Sequence, residues 1–127
     1  MKKSPLKSRS KHRSLRQKLY AKAEKVFHAW IRERDKDKGC ITCGGPVEQA
    51  GHFLHNKLDF EPMNLAGQCI ACNYYRSGAG QKFGVKLIEK YGFKSIKDMI
   101  KQSEVLKKYS IEELRINLPW PKRLMYR

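Results

Sequence analysis

A chain of 127 residues is about the size of one domain, so one compact core with short appendages is expected. It carries 28 Lys and Arg against 12 Asp and Glu, a formal charge of +16 that exceeds what solubility needs and calls for an anionic partner, nucleic acid first. No segment approaches 18 consecutive apolar residues and the basic N-terminus lacks the apolar run of a signal peptide, which argues against a membrane and predicts an intracellular protein.

Residues 1–22, "MKKSPLKSRSKHRSLRQKLYAK", hold nine Lys or Arg and no acid, so they cannot bury a core alone. Residues 1–17 are expected to form a disordered basic arm that orders on a polyanion, with Arg9, Arg13 and Arg16 on phosphates; a merely solubilising tail is the alternative. Apolar residues at Leu19, Ala23, Val26, Phe27, Trp30 and Ile31 then follow the 3.6-residue period of an amphipathic helix over about 19–34. His28 lies beside that stripe and reads as a packing or surface residue.

"DKDKG" ends this helix. In "CITCGGPVEQAGHF" a Gly-Gly-Pro turn between two short extended stretches suggests a hairpin, and "LDFEPMNLAGQ", with Pro62, reads as a loop. "CIACNYYRSG" suggests a short helix stopping near Gly78 or Gly80. "QKFGVKLIEKYG" predicts another helix, with Phe83, Leu87 and Ile88 on one side and Gly92 as C-cap. The capping-box patterns Ser95-x-x-Asp98 and Ser110-x-x-Glu113 predict two more, about 95–108 and 110–117. Pro119 and Pro121 keep the basic tail out of helix. The expected organisation is thus an arm (1–17), a core with its N-terminal helix (18–92) and a C-terminal helical extension (93–127).

Four cysteines fall in two Cys-x-x-Cys pairs, Cys40/Cys43 and Cys69/Cys72, with 25 residues between them. In a reducing cytosol this pattern favours metal thiolates over disulfides or free thiols. Two thiolates in a tight turn and two at a helix start supply the corners of a tetrahedral Zn²⁺ site, the arrangement of a treble-clef module. A closed four-cysteine site has no open position, so any chemistry needs a second metal or none.

The remaining polar residues are His52, His55, Asn56, Asn64 and Asn73. Helix neighbours point about 100° apart, so Cys72 can face zinc while Asn73 faces elsewhere. With His52 on a strand and Asn73 on the helix, the two are expected to converge across the hairpin. An imidazole there could take a proton from water, an amide oxygen could hold a divalent ion against a phosphate, and Arg76, one turn on, could meet that phosphate. Judged by spacing alone, a histidine beside a zinc module is more often structural.

The stretches "FHAWIRERDKDKGCITCGG", "AGHF", "NLAGQCIACNYYRSG" and "VKLIEKYG" carry a further signal. Across about residues 25–92 the chain resembles the HNH, or ββα-metal, endonucleases and, more closely, the phage recombination endonucleases of the lambda NinG (Rap) family. The resemblance implies a small α+β fold: a treble-clef zinc module with an HNH-like hairpin and helix, flanked by an N-terminal helix and C-terminal helices. It implies His52 as general base, Asn64 as the residue that orients the His52 loop, and Asn73 as a ligand of a catalytic Mg²⁺ or Mn²⁺. It also implies hydrolysis of one strand of branched DNA, such as Holliday junctions and D-loops, in the cytoplasm of a phage-infected bacterial host. Lys57 and Arg76 join the arm arginines as expected nucleic-acid contacts.

One position departs from the pattern. HNH enzymes commonly place an acidic metal ligand just before the first His, where this chain has Gly51. His55, Glu48 or Asp59 are the available substitutes, His55 being preferred. The departure leaves open a non-catalytic zinc protein that binds branched DNA or RNA. Symmetric cutting of a four-way junction would need two active sites, hence a homodimer or two successive events.

Overall fold

The computed structural model describes residues 13–105 and 109–116. Its architecture is α+β: four α-helices around a two-stranded antiparallel sheet among the described residues. Helix α1 spans Leu15–Asp35. It begins earlier than the apolar period predicts because Ser14 closes a capping box: its hydroxyl accepts the Gln17 N–H (3.1 Å) and the Gln17 side chain accepts the Ser14 N–H (2.9 Å). Leu15 and Arg16 therefore belong to the helix and not to the expected arm. Residues 1–12, with Arg9, and the tail 117–127 lie outside the described residues.

Strand β1 (Gln49–His52) pairs with β2 (Leu65–Gln68) in the register Ala50 opposite Gly67 and His52 opposite Leu65. The hairpin expected around Gly44-Gly45-Pro46 is not formed. That segment curls instead into a tight turn closed by Gly44 N–H to Cys40 O (2.8 Å) and Cys40 N–H to Gly45 O (2.7 Å). The partner of β1 is "LAGQ", read from the sequence as loop. All four of its residues are buried, so it shows none of the polar alternation that marks a strand with one wet face.

Helix α2 (Gly80–Tyr91) ends as expected at Gly92, whose φ of +93° suits glycine and whose N–H bonds Ile88 O (2.8 Å). Helix α3 (Phe93–Ser103) follows at once. The Ser95/Asp98 capping box does not form, because the helix starts two residues earlier, and Asp98 pairs with Lys94 (2.9 Å). Ser110 and Glu113 do cap α4 (Ile111–Ile116) reciprocally, at 2.8 and 3.0 Å. No helix among the described residues is long and apolar enough to cross a membrane.

The sheet separates two cores. On one face Ala50 and Leu65 pack with Ala23, Phe27 and Ile31 of α1, with Phe60 and with Leu114 of α4. On the other, Ala66 packs with Leu58, with Phe83 and Leu87 of α2 and with Ile96 and Met99 of α3. Each fully buried Phe, Leu or Ile contributes roughly 1.5–3 kcal/mol, so both faces are anchored. A polar clamp ties α1 to β2. Arg34 donates twice to Asp35 (2.7 and 2.8 Å) and to the carbonyls of Pro62 (3.0 Å) and Leu65 (2.8 Å), while Asp35 accepts the Gly67 N–H (2.8 Å). Burial raises the Asp35 carboxyl, but the Arg34 bonds and the Gly67 N–H outweigh it and hold the group below its ordinary value.

Candidate functional site

The two cysteine pairs meet. Cys40 and Cys43 come from the tight turn before β1, Cys69 and Cys72 from the start of a single π-helical turn, Ala71–Tyr75, after β2. Glu48 Oε1 accepts the Ile70 N–H (2.9 Å) and fixes where that turn begins. The four sulfurs all lie within 4.8 Å of one another, Cys43 and Cys69 at 3.6 Å. Sulfurs bound to one Zn²⁺ at about 2.3 Å stand roughly 3.8 Å apart in a tetrahedron, so the cluster fits a metal such as zinc.

The surroundings of the cluster favour thiolates. Cys72 N–H and Gly45 N–H point at Cys69 and Cys43 (both 3.4 Å), the Thr42 hydroxyl lies 3.3 Å from Cys40, and Arg76 Nη1 donates to Cys72 Sγ (3.3 Å). Burial works against the Cys40 thiolate, yet the Thr42 hydroxyl and backbone N–H groups hold it at about 6. Cys43 is helped by Gly45 N–H but is pushed up to about 11 by the three neighbouring sulfurs. Four thiolates this close would repel one another, and a bound cation would balance their charge. Arg76, expected on a phosphate, already has one guanidinium nitrogen on this cluster.

His52 and Asn73 do not converge. Side chains alternate along a strand, so Ala50 and His52 face α1, while Gln49 and Gly51 face the π-turn. Asn73 Nδ2 donates to Gln49 Oε1 (2.7 Å), and a Cβ added at Gly51 would stand 3.1 Å from Asn73 Oδ1 and 1.9 Å from Gln68 Oε1. Asn73 thus sits on the opposite face from His52, among amides.

His52 meets α1 instead. Glu24 and His28, one turn apart on that helix, offer ligand atoms that lie with one of His52 within 4.8 Å of one another. The His28 and His52 rings are 5.3 Å apart between centroids. Asp59 Oδ1 stands 3.9 Å from His52 Nε2, and Asp59 Oδ2 accepts the Tyr20 hydroxyl. His55, the preferred substitute ligand, is exposed, with its ring 6.3 Å from that of His52, and stands outside this group. Burial, then the neighbouring His52 and Arg32, push His28 down to about 4, and burial also lowers His52 against the pull of Asp59. Both shifts favour the neutral imidazole, the form that accepts a proton or ligates a metal. Burial first, and Asp59 second, raise the Glu24 carboxyl.

Asn64 is fully buried and holds the loop after β1. Its Oδ1 accepts the Leu54 N–H (2.7 Å), and its Nδ2 contacts the carbonyls of Leu54 (3.1 Å), Lys57 (3.0 Å) and Leu58 (3.1 Å). These bonds anchor a loop in which Asn56 and Leu58 adopt positive φ. A groove of about 700 Å³ runs past Glu24 and Asp59 and is flanked by Arg13, Arg16 and Lys57. Arg13 and Lys57 are exposed, whereas Arg16 donates to the Tyr109 carbonyl.

Sequence reasoning missed Glu24 and His28. Their four-residue spacing beside the apolar stripe puts both on the helix face that meets the sheet, and that spacing was the available signal.

Comparison with known proteins adds an independent finding. The family model described as Bacteriophage Lambda NinG protein matches residues 1–119. "Protein ninG" of Escherichia phage 933W and that of Salmonella phage P22 are each 33% identical over 100 residues, covering 73% of this chain and 49% of theirs. "Protein ninG" of Escherichia phage lambda is also 33% identical over 100 residues, covering 73% and 48%. The chain thus spans about half the length of the curated relatives it matches. No solved structure matches it.

Proposed function

The chain belongs to the NinG family of phage lambda, and from that premise we propose that it is a metal-dependent DNA endonuclease of the HNH type that hydrolyses a phosphodiester bond in branched recombination intermediates. The observation that carries this reading is the group Glu24, His28 and His52, of which Glu24 lines a groove that also holds Arg13, Arg16 and Lys57, in a chain of net charge +16. The groove sets Arg13, Arg16 and Lys57 against Glu24, Asp59 and Glu104, so phosphates would be drawn to it by the net charge of the chain and by a bound cation, and hydrolysis there needs a proton acceptor and that cation facing the scissile phosphate. A neutral His52 can take a proton or hold the cation. Zinc on Cys40, Cys43, Cys69 and Cys72 would fix the tight turn and the π-turn, giving a treble-clef frame with β1 and β2 as its hairpin; a four-sulfur zinc is closed and supplies structure. Asn64 holds the loop that follows His52. The place of action is the interior of a phage-infected host.

A second reading is favoured by one observation. On the Asn73 face the amides of Gln49 and Gln68 stand around Gly51, the position where HNH enzymes commonly carry an acid. On this reading the chain is a non-catalytic zinc protein that binds branched DNA or RNA through its basic surface. Salt-sensitive binding is common to both, so turnover decides: the nuclease reading expects nicking of a four-way junction by the zinc-loaded protein with Mn²⁺ or Mg²⁺ and none with EDTA.

A further inference from the structure

Outside the cysteine cluster, one group of side chains among the described residues has the composition and convergence of a metal site. We propose that Glu24, His28 and His52 form a second divalent-metal site, an imidazole-rich one that takes Mn²⁺, Zn²⁺ or Co²⁺ in preference to Mg²⁺.

The geometry is near closure. Ligand atoms around one ion at 2.0–2.2 Å stand about 3–4 Å apart, and these three lie within 4.8 Å of one another, so small side-chain rotations suffice. Their backbones are already fixed. Glu24 and His28 are interleaved with Ala23 and Phe27, which α1 buries against the sheet, and His52 is locked in register opposite Leu65. A site built on packed helix and strand keeps its shape without the ion.

A second observation is independent of that convergence. His28 Nε2 is buried with no hydrogen-bond partner among the described residues. Buried polar atoms in native proteins nearly always have a partner, and an absent ion or water is among the explanations for those that do not. Asp59, held by Tyr20, stands 3.9 Å from His52 Nε2, longer than a hydrogen bond but close enough that a small rotation would make it the outer carboxylate that commonly orients a ligating imidazole. Two imidazoles and one carboxylate form a borderline donor set, suited to Mn²⁺, Zn²⁺ and Co²⁺, whereas Mg²⁺ prefers oxygen.

The site deepens the nuclease reading by naming ligands for its hydrolytic ion, and it makes His52 a ligand. Its catalytic role rests on that reading; metal binding does not. The test is a metal count on the full chain after equilibration with Zn²⁺, together with a Co²⁺ titration followed by absorption. Thiolate-to-cobalt charge transfer reports the cysteine cluster, and weaker visible bands report the imidazole site. Wild type is expected to hold two ions per chain. Glu24→Gln and His28→Gln should each weaken the second ion at least about tenfold, with the charge-transfer band unchanged. If His28→Gln fails to fold, the isosteric Glu24→Gln decides. One ion per wild-type chain, or a second ion indifferent to both substitutions, overturns the proposal. A nicking assay on the same samples separates the two ideas: two ions without cutting keeps this site and removes the nuclease, while cutting with the cysteine-bound ion alone removes this site and keeps the nuclease.

Discussion

Gly51→Ala is expected to destabilise the protein by about 2–4 kcal/mol, although the strand at Gly51 makes no conformational demand for glycine. The reason is space. A methyl carbon there would lie 1.9 Å from Gln68 Oε1 and 2.7 Å from Gln68 Cδ. Gln68 cannot swing away cheaply, because it is fully buried and its Nε2 donates to Thr42 Oγ1 and Gly78 O, each at 3.0 Å. Forcing it out adds an overpacking cost of about 1–3 kcal/mol to the loss of two buried hydrogen bonds at roughly 0.5–1.5 kcal/mol each; release of the Oε1 atom, buried without a partner among the described residues, offsets part of this. At roughly 4 °C per kcal/mol for a domain of this size, thermal unfolding of the zinc-loaded protein should shift down by about 8–16 °C. Gly51→Ala combined with Gln68→Ala should cost at least about 1 kcal/mol less than the two separately, since the second change removes what the methyl strikes. A Gly51→Ala protein within about 0.5 kcal/mol of wild type, or strict additivity in the pair, would refute the close-approach argument. An aspartate at this position, the acid of the HNH pattern, should be worse still, because its side chain is larger and charged.

Three further outcomes follow from the contacts. Asn64→Ala removes all four side-chain contacts to residues 54–58 and should cost about 2–4 kcal/mol, with nicking impaired more than junction binding; equal loss in both would point to general unfolding. Asp35→Ala strands Arg34 at the α1–β2 clamp and should cost about 3–5 kcal/mol in urea unfolding. Because the folded Asp35 carboxyl lies below its unfolded value, its stabilisation is complete above the ordinary carboxylate range near 3.9 and is lost as pH falls through the lowered folded value. Acid titration of Asp35→Asn should therefore lack that part of the wild-type slope, and an unchanged slope would contradict the assignment. Chelation of zinc, or Cys→Ser at any of the four cysteines, should unfold the tight turn and π-turn as seen by circular dichroism and metal count; a folded, zinc-free variant would show that the cluster is not a structural metal site.

Much of this was legible in the sequence where a single element carries its own signal. The α1 stripe Ala23, Phe27 and Ile31 shows in the 3.6-residue period, the cysteine pairs show in their spacing, and Gly92 shows as a C-cap. What depends on pairing between elements was not legible. Leu65–Gln68 is covered on both faces and so lacks alternation, and the Gly-Gly-Pro signal belongs to the cysteine turn and not to the hairpin. Which way His52 points follows from its register opposite Leu65, and a shift of one residue would have turned it toward Asn73. Glu24 and His28 gain their meaning only once that register brings His52 to α1. The Ser95 capping box lost to Gly92, because a chain already turned at Gly92 continues into α3 without another cap.

The central claim, hydrolysis organised around His52, is tested most directly by nicking of a four-way junction, a three-strand branch and linear duplex by wild type and His52→Ala, in Mn²⁺, Mg²⁺ or EDTA, with binding measured on the same samples. The account predicts metal-dependent cutting of the branched substrates that falls on the order of a hundredfold or more in the variant while binding is nearly unchanged. Wild-type protein that is folded, zinc-loaded and bound to the junction yet leaves every substrate intact would contradict it and make the chain a binding protein.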